Sequence, residues 1–197
     1  MSYFDHHYVS NSDLKKLHHK LAGRVDQPNL QEIYDAGTLN HNALLEPYKC
    51  DKTHPGYPLA KTMAETVLRD ELCRKIIMHH DFRREHEWYR SNRWGLKGVR
   101  CKTDGDSKEL STIFEYKGLA ITTEKAFDAA ILHHDYDASC YYYLNVVGYK
   151  YYLIAGVSKE KPKMLFKRLY TRDHDVYSSG GIKIETEISE WKNFGFV

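Results

Sequence analysis

Along its first part the chain spaces apolar residues at helical steps, and beyond about residue 81 it alternates them, so the pattern predicts helices first and a sheet afterwards. Ser10-Asn11-Ser12-Asp13 offers capping side chains to the run "DLKKLHHKL", which Gly23 stops. "VDQPN" reads as a turn. "LQEIYDAGTLNHNALLEP" predicts a second helix, with Gly37 a candidate interruption and Pro47 its end. "KCDKTHPGYP" reads as a loop. From Leu59 to about His79, the apolar set Leu59, Met63, Val67, Leu68, Leu72 and Ile76 predicts one long amphipathic helix, the strongest such signal in the chain.

"REHEWYR" and "WGLKGVRCKTD" then predict two strands joined through "SNR", with Val99, Cys101 and Thr103 on one face and Arg100, Lys102 and Asp104 on the other. "DGDSKE" has turn chemistry, and Thr112 to Lys117 reads as the next strand, with Glu115 and Lys117 on one side and Phe114 and Tyr116 on the other. Thr122 or Thr123 can cap a helix through Ala126, Phe127, Ala130 and Ile131. "YDASCYYYLNVV" is a second helix ending at Gly148. It leads to an apolar strand, "YKYYLIAGVS", and an edge strand, "KPKMLFKRLY". "GGIKIETEISEWKNF" predicts a terminal helix packing through Ile182, Ile188 and Trp191. This order predicts an α/β or α+β fold with helices on the faces of a sheet.

The length of 197 residues suits one domain. Its expected parts are helices to about residue 80, a sheet core over about 81–170, and a C-terminal helix over about 180–194. A net charge of +2 argues against a general basic field for nucleic acid and leaves a local patch open. The 16 tyrosines fit a sheet or surfaces for polar partners. Cys50, Cys73, Cys101 and Cys140 are widely spaced, which argues against a zinc ribbon or a cysteine-bound cluster and fits reduced thiols in a cytosol. The His-His pairs at 6/7, 18/19, 79/80 and 133/134 are poor chelates on a helix, because adjacent residues face apart, and most are expected at the surface. The opening "MSYFDHHYVS" lacks an apolar signal core, and no run could span a membrane, so a cytoplasmic location is expected.

Asp104 ends one predicted strand, and Glu115 and Lys117 lie on the next. If these strands pair through "GDSKELS", both carboxylates converge at one sheet edge. Two carboxylates with open positions around them suit Mg²⁺, and a neighbouring lysine can orient or deprotonate a water and stabilise charge on phosphate. Taken alone, D-x(10)-E-x-K is a loose pattern, and a solvated strand pair is its default explanation.

The ordered set of motifs over about residues 8–170 changes that weighing. Asp104, Glu115-Tyr116-Lys117 resembles the core of the PD-(D/E)XK nuclease superfamily. "YVSNSDLKKL" and "AGTLNHNALLEP" (residues 36–47) resemble the N-terminal signature of its exonuclease VIII, or RecE-like, branch, which is related to the RecB-type nuclease domains. "EHEWYRSNRWGLKGVRCKTDG" resembles the strand pair that leads to that family's metal aspartate. "HHDYDASCYYYL" lies where the family has a helix carrying Gln-x-x-x-Tyr.

The resemblance implies a restriction-endonuclease-like core with a central mixed sheet flanked by helices. It implies that Asp104, Glu115 and the Tyr116 carbonyl hold Mg²⁺ or Mn²⁺, that His41 adds a further ligand, and that Lys117 acts on the water. Glu85 and Glu87 are both candidates for a second metal position, and a plain cross-strand charge pair accounts for either equally well. Ser139 stands where the family has glutamine, so of its DNA-end contacts Tyr143 alone carries over, and Gly118 replaces a small threonine.

The activity implied is a metal-dependent exonuclease acting on linear duplex DNA ends in bacterial or phage-type recombination, as a cyclic homo-oligomer and with a single-strand annealing protein as partner. Cas4-like or structure-specific endonucleases of the same superfamily are the alternatives, and the missing cysteine quartet weakens the first. A non-catalytic DNA-end-binding module and a hydrolase of small phosphate esters are the rivals from other classes.

Overall fold

A computed structural model describes residues 8–23 and 30–194. The expected turn "VDQPN" lies outside the described residues. Strand β1 (Val9–Ser10) runs into α1 (Asn11–Leu21), whose start is fixed by a reciprocal cap. The Asp13 amide donates to Ser10 Oγ at 3.2 Å, and the Ser10 amide donates to the Asp13 carboxylate at 2.9 Å. Helix α2 (Leu30–Leu45) passes through Gly37 without a break. One glycine costs a helix only about 1 kcal/mol, too little by itself to break a run of this length.

The single helix expected from Leu59 to His79 is instead two, α3 (Tyr57–Arg69) and α4 (Glu71–Ile77). Asp70 leaves helical geometry at φ −72, ψ 127, and its carboxylate accepts the Cys73 amide at 3.0 Å. An aspartate is worth more as the cap of a new helix than inside an old one, and the apolar steps run across the break unchanged.

The remaining strands are β2 (Arg83–Arg93), β3 (Leu96–Ser107), β4 (Thr112–Leu119), β5 (Tyr151–Ser158) and β6 (Leu165–Tyr170). "SNR" belongs to β2, and the chain reverses at Trp94-Gly95, both at positive φ (52° and 70°), which suits the twist of a two-residue hairpin. "DGDS" likewise belongs to β3, and the turn follows it at 108–111. Between β4 and β5, which run parallel, the chain crosses over through α5 (Glu124–His133), capped by Thr123, and α6 (Tyr136–Val147), ended by left-handed Gly148.

The six-stranded sheet is mixed. Antiparallel β2 covers one edge of β3, while parallel β1 and antiparallel β4 share the other edge, at Val99–Arg100 and Gly105–Ser107 respectively. One core packs α2, α3 and α4 against Phe114, Tyr116, Leu153, Ala155 and Val157. The other packs α1, α5, α6 and α7 (Asp175–Asn193) against Val99, Ile113, Tyr152 and Ile154. On α7 the packing face runs through Gly180, Gly181, Ile184 and Ile188, with Trp191 partly buried. Ile182, expected on that face, is 71% exposed. Gly180 explains this: a Cβ there would stand 2.0 Å from the Asp137 carbonyl oxygen of α6, so the two helices meet backbone to backbone. Among the described residues, no helix is long and apolar enough to cross a membrane.

Candidate active site

Strands β3 and β4 pair through Gly105↔Phe114, Asp106↔Ile113 and Ser107↔Thr112, and then part. Just past the last pair, the Tyr116 amide donates to Asp104 Oδ2 at 2.8 Å, so a side-chain carboxylate stands where a strand carbonyl would. The fork therefore lies inside the sheet, between β3 and β4 with β5 beyond, and not at the sheet edge that the sequence predicts. On the other side of β3, the β2 ladder runs through Arg84↔Gly105 and His86↔Thr103. Glu85 lies between these pairs at φ 52, a conformation uncommon for a side-chain-bearing residue and found often at functional sites.

Helix α2 lays His41 over the fork. Its Nδ1 stands 3.1 Å from Glu85 Oε1 and its Nε2 3.2 Å from Asp104 Oδ1. The second contact misses hydrogen-bond geometry, so Nε2 is buried without a hydrogen-bond partner beside a carboxylate. Lys117 Nζ lies 2.7 Å from Glu115 Oε2 and 3.4 Å from Asp104 Oδ2. Lys102 pairs with the Glu85 carboxylate. The ring of Tyr136, at the start of α6, has its centroid 5.8 Å from Lys117 Nζ.

The four titratable groups pull on one another. Burial pushes the Glu115 carboxyl up, Asp104 adds to this, and Lys117 only partly offsets them, leaving it at about 7. Burial also acts to raise Asp104, but Lys117, His41 and the Tyr116 amide outweigh it and hold it well below the usual carboxylate range. Lys117 is pushed up: burial opposes its charge, and the Asp104 and Glu115 carboxylates more than compensate. It stands in the cluster as an ammonium, a donor of charge and hydrogen bonds. His41 is also raised, since Asp104 and Glu85 overcome its burial.

These residues fit a divalent metal. His41, Glu85 and Asp104 each bring a ligand atom within 4.8 Å of the others, and His41 Nε2, buried without a hydrogen-bond partner, can turn a lone pair to an ion there when the ring is neutral. Oxygen ligands suit Mg²⁺ and Mn²⁺, and the imidazole favours the transition ion of the two.

The cluster opens into a cleft of about 530 Å³, which also takes in Tyr116, Tyr136 and Lys159. Of the residues singled out in the sequence, His41, Glu85, Asp104, Glu115, Tyr116 and Lys117 come together here. Glu87 does not: it accepts the Tyr89 hydroxyl at 2.9 Å on the exposed side of β2. Ser139 faces α1, bonded to Asn11 at 3.1 Å, and Tyr143, partly buried, packs against Tyr142 and Tyr152 of the core. Tyr136, one helical turn before Ser139, is the α6 side chain at the cleft. The sequence signal for it was the helix start itself, since the first turn of α6 points at the fork. Gly118 has a steric cause: a Cβ there would meet Asn40 Nδ2 and Met63 Cε, each at 2.9 Å, so its absence lets α2 and α3 close on β4.

No family model and no curated protein sequence matches the chain. Its fold is shared with solved structures. A protein assigned as an exonuclease, from Eubacterium rectale, is 16% identical with a TM-score of 0.68 over 97% of this chain and 83% of its own. A phage-related exonuclease from Haemophilus somnus is 10% identical with a TM-score of 0.50 over 95% of this chain and 94% of its own. The central mixed sheet flanked by helices is therefore the fold of these proteins.

Proposed function

We propose that the chain is a Mg²⁺- or Mn²⁺-dependent deoxyribonuclease that hydrolyses phosphodiesters in the cleft at the β3–β4 fork, working from duplex ends. The observation that supports this most is the convergence of half-buried Asp104 and buried Glu115 on one ammonium, Lys117, beneath an imidazole whose Nε2 lacks a hydrogen-bond partner. His41, Glu85 and Asp104 would hold the ion, with Glu115 added as the resemblance implies. When bound, such an ion supplies Lewis acidity to a phosphate oxygen and makes a water a better nucleophile near neutral pH. Lys117, kept charged by the two carboxylates, meets the negative charge that develops on the phosphate. Tyr136 and Lys159 line the cleft where the strand would pass, one offering a ring and the other a cation.

The preference for ends draws its support from the motif resemblance at residues 36–47 and from the fold shared with two proteins named as exonucleases. A net charge of +2 provides few static phosphate contacts, and a ring of subunits would retain duplex without them. A cyclic homo-oligomer, with a single-strand annealing protein as partner in recombination, completes the proposal.

The test is to incubate the purified protein with end-labelled linear duplex and with covalently closed circles in Mg²⁺. Mononucleotides released from linear DNA, with circles spared, are the expected products. Rapid linearisation of circles would assign a structure-specific endonuclease instead, and end binding without any product would assign a non-catalytic module.

A further inference from the structure

We infer that His79, His80 and Glu109 form a second metal site, apart from the cleft, for Zn²⁺ or a similar divalent transition ion. The objection to adjacent histidines holds on a helix, and the structure places these two beyond one. Met78 ends α4, and in the turn that follows the two imidazole centroids stand 4.5 Å apart. Glu109, from the β3–β4 turn, brings its carboxylate to 3.0 Å from His80 Nε2. One ligand atom from each of the three residues lies within 4.8 Å of the others.

Asp81 supplies the support that a ligating imidazole ordinarily has behind it. Its Oδ1 lies 2.7 Å from His79 Nδ1. The same carboxylate is fixed in turn by the Ser107 hydroxyl and by the Glu109 amide, which donates to Oδ2 at 2.8 Å. A carboxylate so placed keeps the proton on Nδ1 and leaves Nε2 as the basic nitrogen.

Two imidazoles and one carboxylate suit Zn²⁺, Ni²⁺ or Cu²⁺ and suit Mg²⁺ poorly, which sets this site apart from the oxygen-rich cleft. Three protein ligands leave a fourth position for water. The His80 and Glu109 side chains are 73% and 59% exposed, so an ion can enter directly from solvent. Once there it ties the end of α4 to the turn that joins the Asp104 strand to the Glu115 strand.

Zn²⁺ is titrated into the full-length protein, stripped of metal, against a chromophoric chelator, and unfolding is followed with and without Zn²⁺. The parent, His41→Ala/Asp104→Asn, His80→Ala/Glu109→Gln and Asp81→Asn are compared. Loss of one Zn²⁺ equivalent in His80→Ala/Glu109→Gln, its retention in His41→Ala/Asp104→Asn, and an affinity about 10–100-fold lower in Asp81→Asn are expected. Zn²⁺ should raise the unfolding midpoint of the parent and lose that effect in His80→Ala/Glu109→Gln. The changed ligands are exposed, so that variant tests binding in a folded protein. Equal Zn²⁺ stoichiometry and affinity in the parent and His80→Ala/Glu109→Gln overturns the site. This outcome is independent of whether the cleft cleaves DNA.

Discussion

The Asp104 carboxylate accepts the Tyr116 amide at 2.8 Å across the gap where β3 and β4 part. One residue thus holds the fork open and presents its second oxygen to His41. These two jobs separate by substitution. Asp104→Asn keeps an acceptor for the amide but loses the charge that Lys117 and His41 hold, so it should be destabilised less than Asp104→Ala. Asp104→Ala leaves that amide without its partner and should cost about 1–3 kcal/mol in denaturant unfolding. Both should lose DNA cleavage by roughly two orders of magnitude or more. Equal stability of the two variants would remove the structural half of this assignment.

His41 provides the next test. His41→Ala removes an imidazole that favours Mn²⁺ over Mg²⁺, so cleavage should need more of either ion and lose most of any Mn²⁺ advantage. Metal-free unfolding in alkaline buffer, where the ring is neutral, should change little. A lowered metal-free midpoint with an unchanged ion titration would show a packing histidine instead.

Glu115 makes metal-free stability depend on pH. Its folded pKa of about 7 lies above the ordinary value of 4.5, so between them the folded state binds the extra proton. That contribution is fully present below about 4.5 and is lost as pH rises through about 7. His41, raised above 6.5, acts in the same direction. Urea unfolding in chelator should therefore weaken from pH 4.5 to 8 by an amount on the order of 3 kcal/mol from Glu115. Glu115→Gln should remove that share of the slope, leaving those of His41 and of Glu187, whose carboxyl burial also pushes up to about 7. A parent and variant with the same slope would contradict this.

Gly180→Ala tests the helix contact behind the sheet. The added methyl meets the Asp137 carbonyl of α6, a backbone atom that cannot swing aside. We expect a loss of about 1–3 kcal/mol in chemical unfolding, with cleavage per folded molecule unchanged. Ile182→Ala, at an exposed position, should be nearly neutral.

Much of this architecture was legible in the sequence wherever local chemistry and packing agreed. The capping run at Ser10–Asp13, a cap at Thr122 or Thr123, the stop at Gly148 and the apolar β5 were legible, because each signal is local and the tertiary structure reinforces it. Ser10 and Thr123 are the residues that cap. The misreadings came where a distant contact decided. Asp70 breaks a continuous apolar stripe where its carboxylate both caps α4 and pairs with Lys167 of β6, far along the chain. "DGDS" stays in β3 because Arg83 and Trp88 of β2 bond Asp106, a pairing no turn rule contains. Ile182 lost its place to glycines that let two backbones touch.

In the site, strand alternation put Glu115 beside Lys117, the ordered motif resemblance indicated Asp104, Glu115 and Lys117 together, and its Gly37-Thr38 lead-in indicated His41. Glu85 could not be told from Glu87, since a backbone kink at φ 52 rather than residue type brings it to His41. Tyr136 was missed in favour of Ser139 and Tyr143, which a helical wheel alone cannot orient toward one end of the helix.

The most direct measurement compares the parent with Glu115→Gln and Lys117→Ala on end-labelled duplex DNA, in Mg²⁺ and in chelator, with circular dichroism confirming that each is folded. The parent should cleave in Mg²⁺ and be silent in chelator, and each variant should fall by roughly 10²-fold or more in rate. Cleavage by either folded variant at the parent's rate would contradict the assignment of catalysis to this fork.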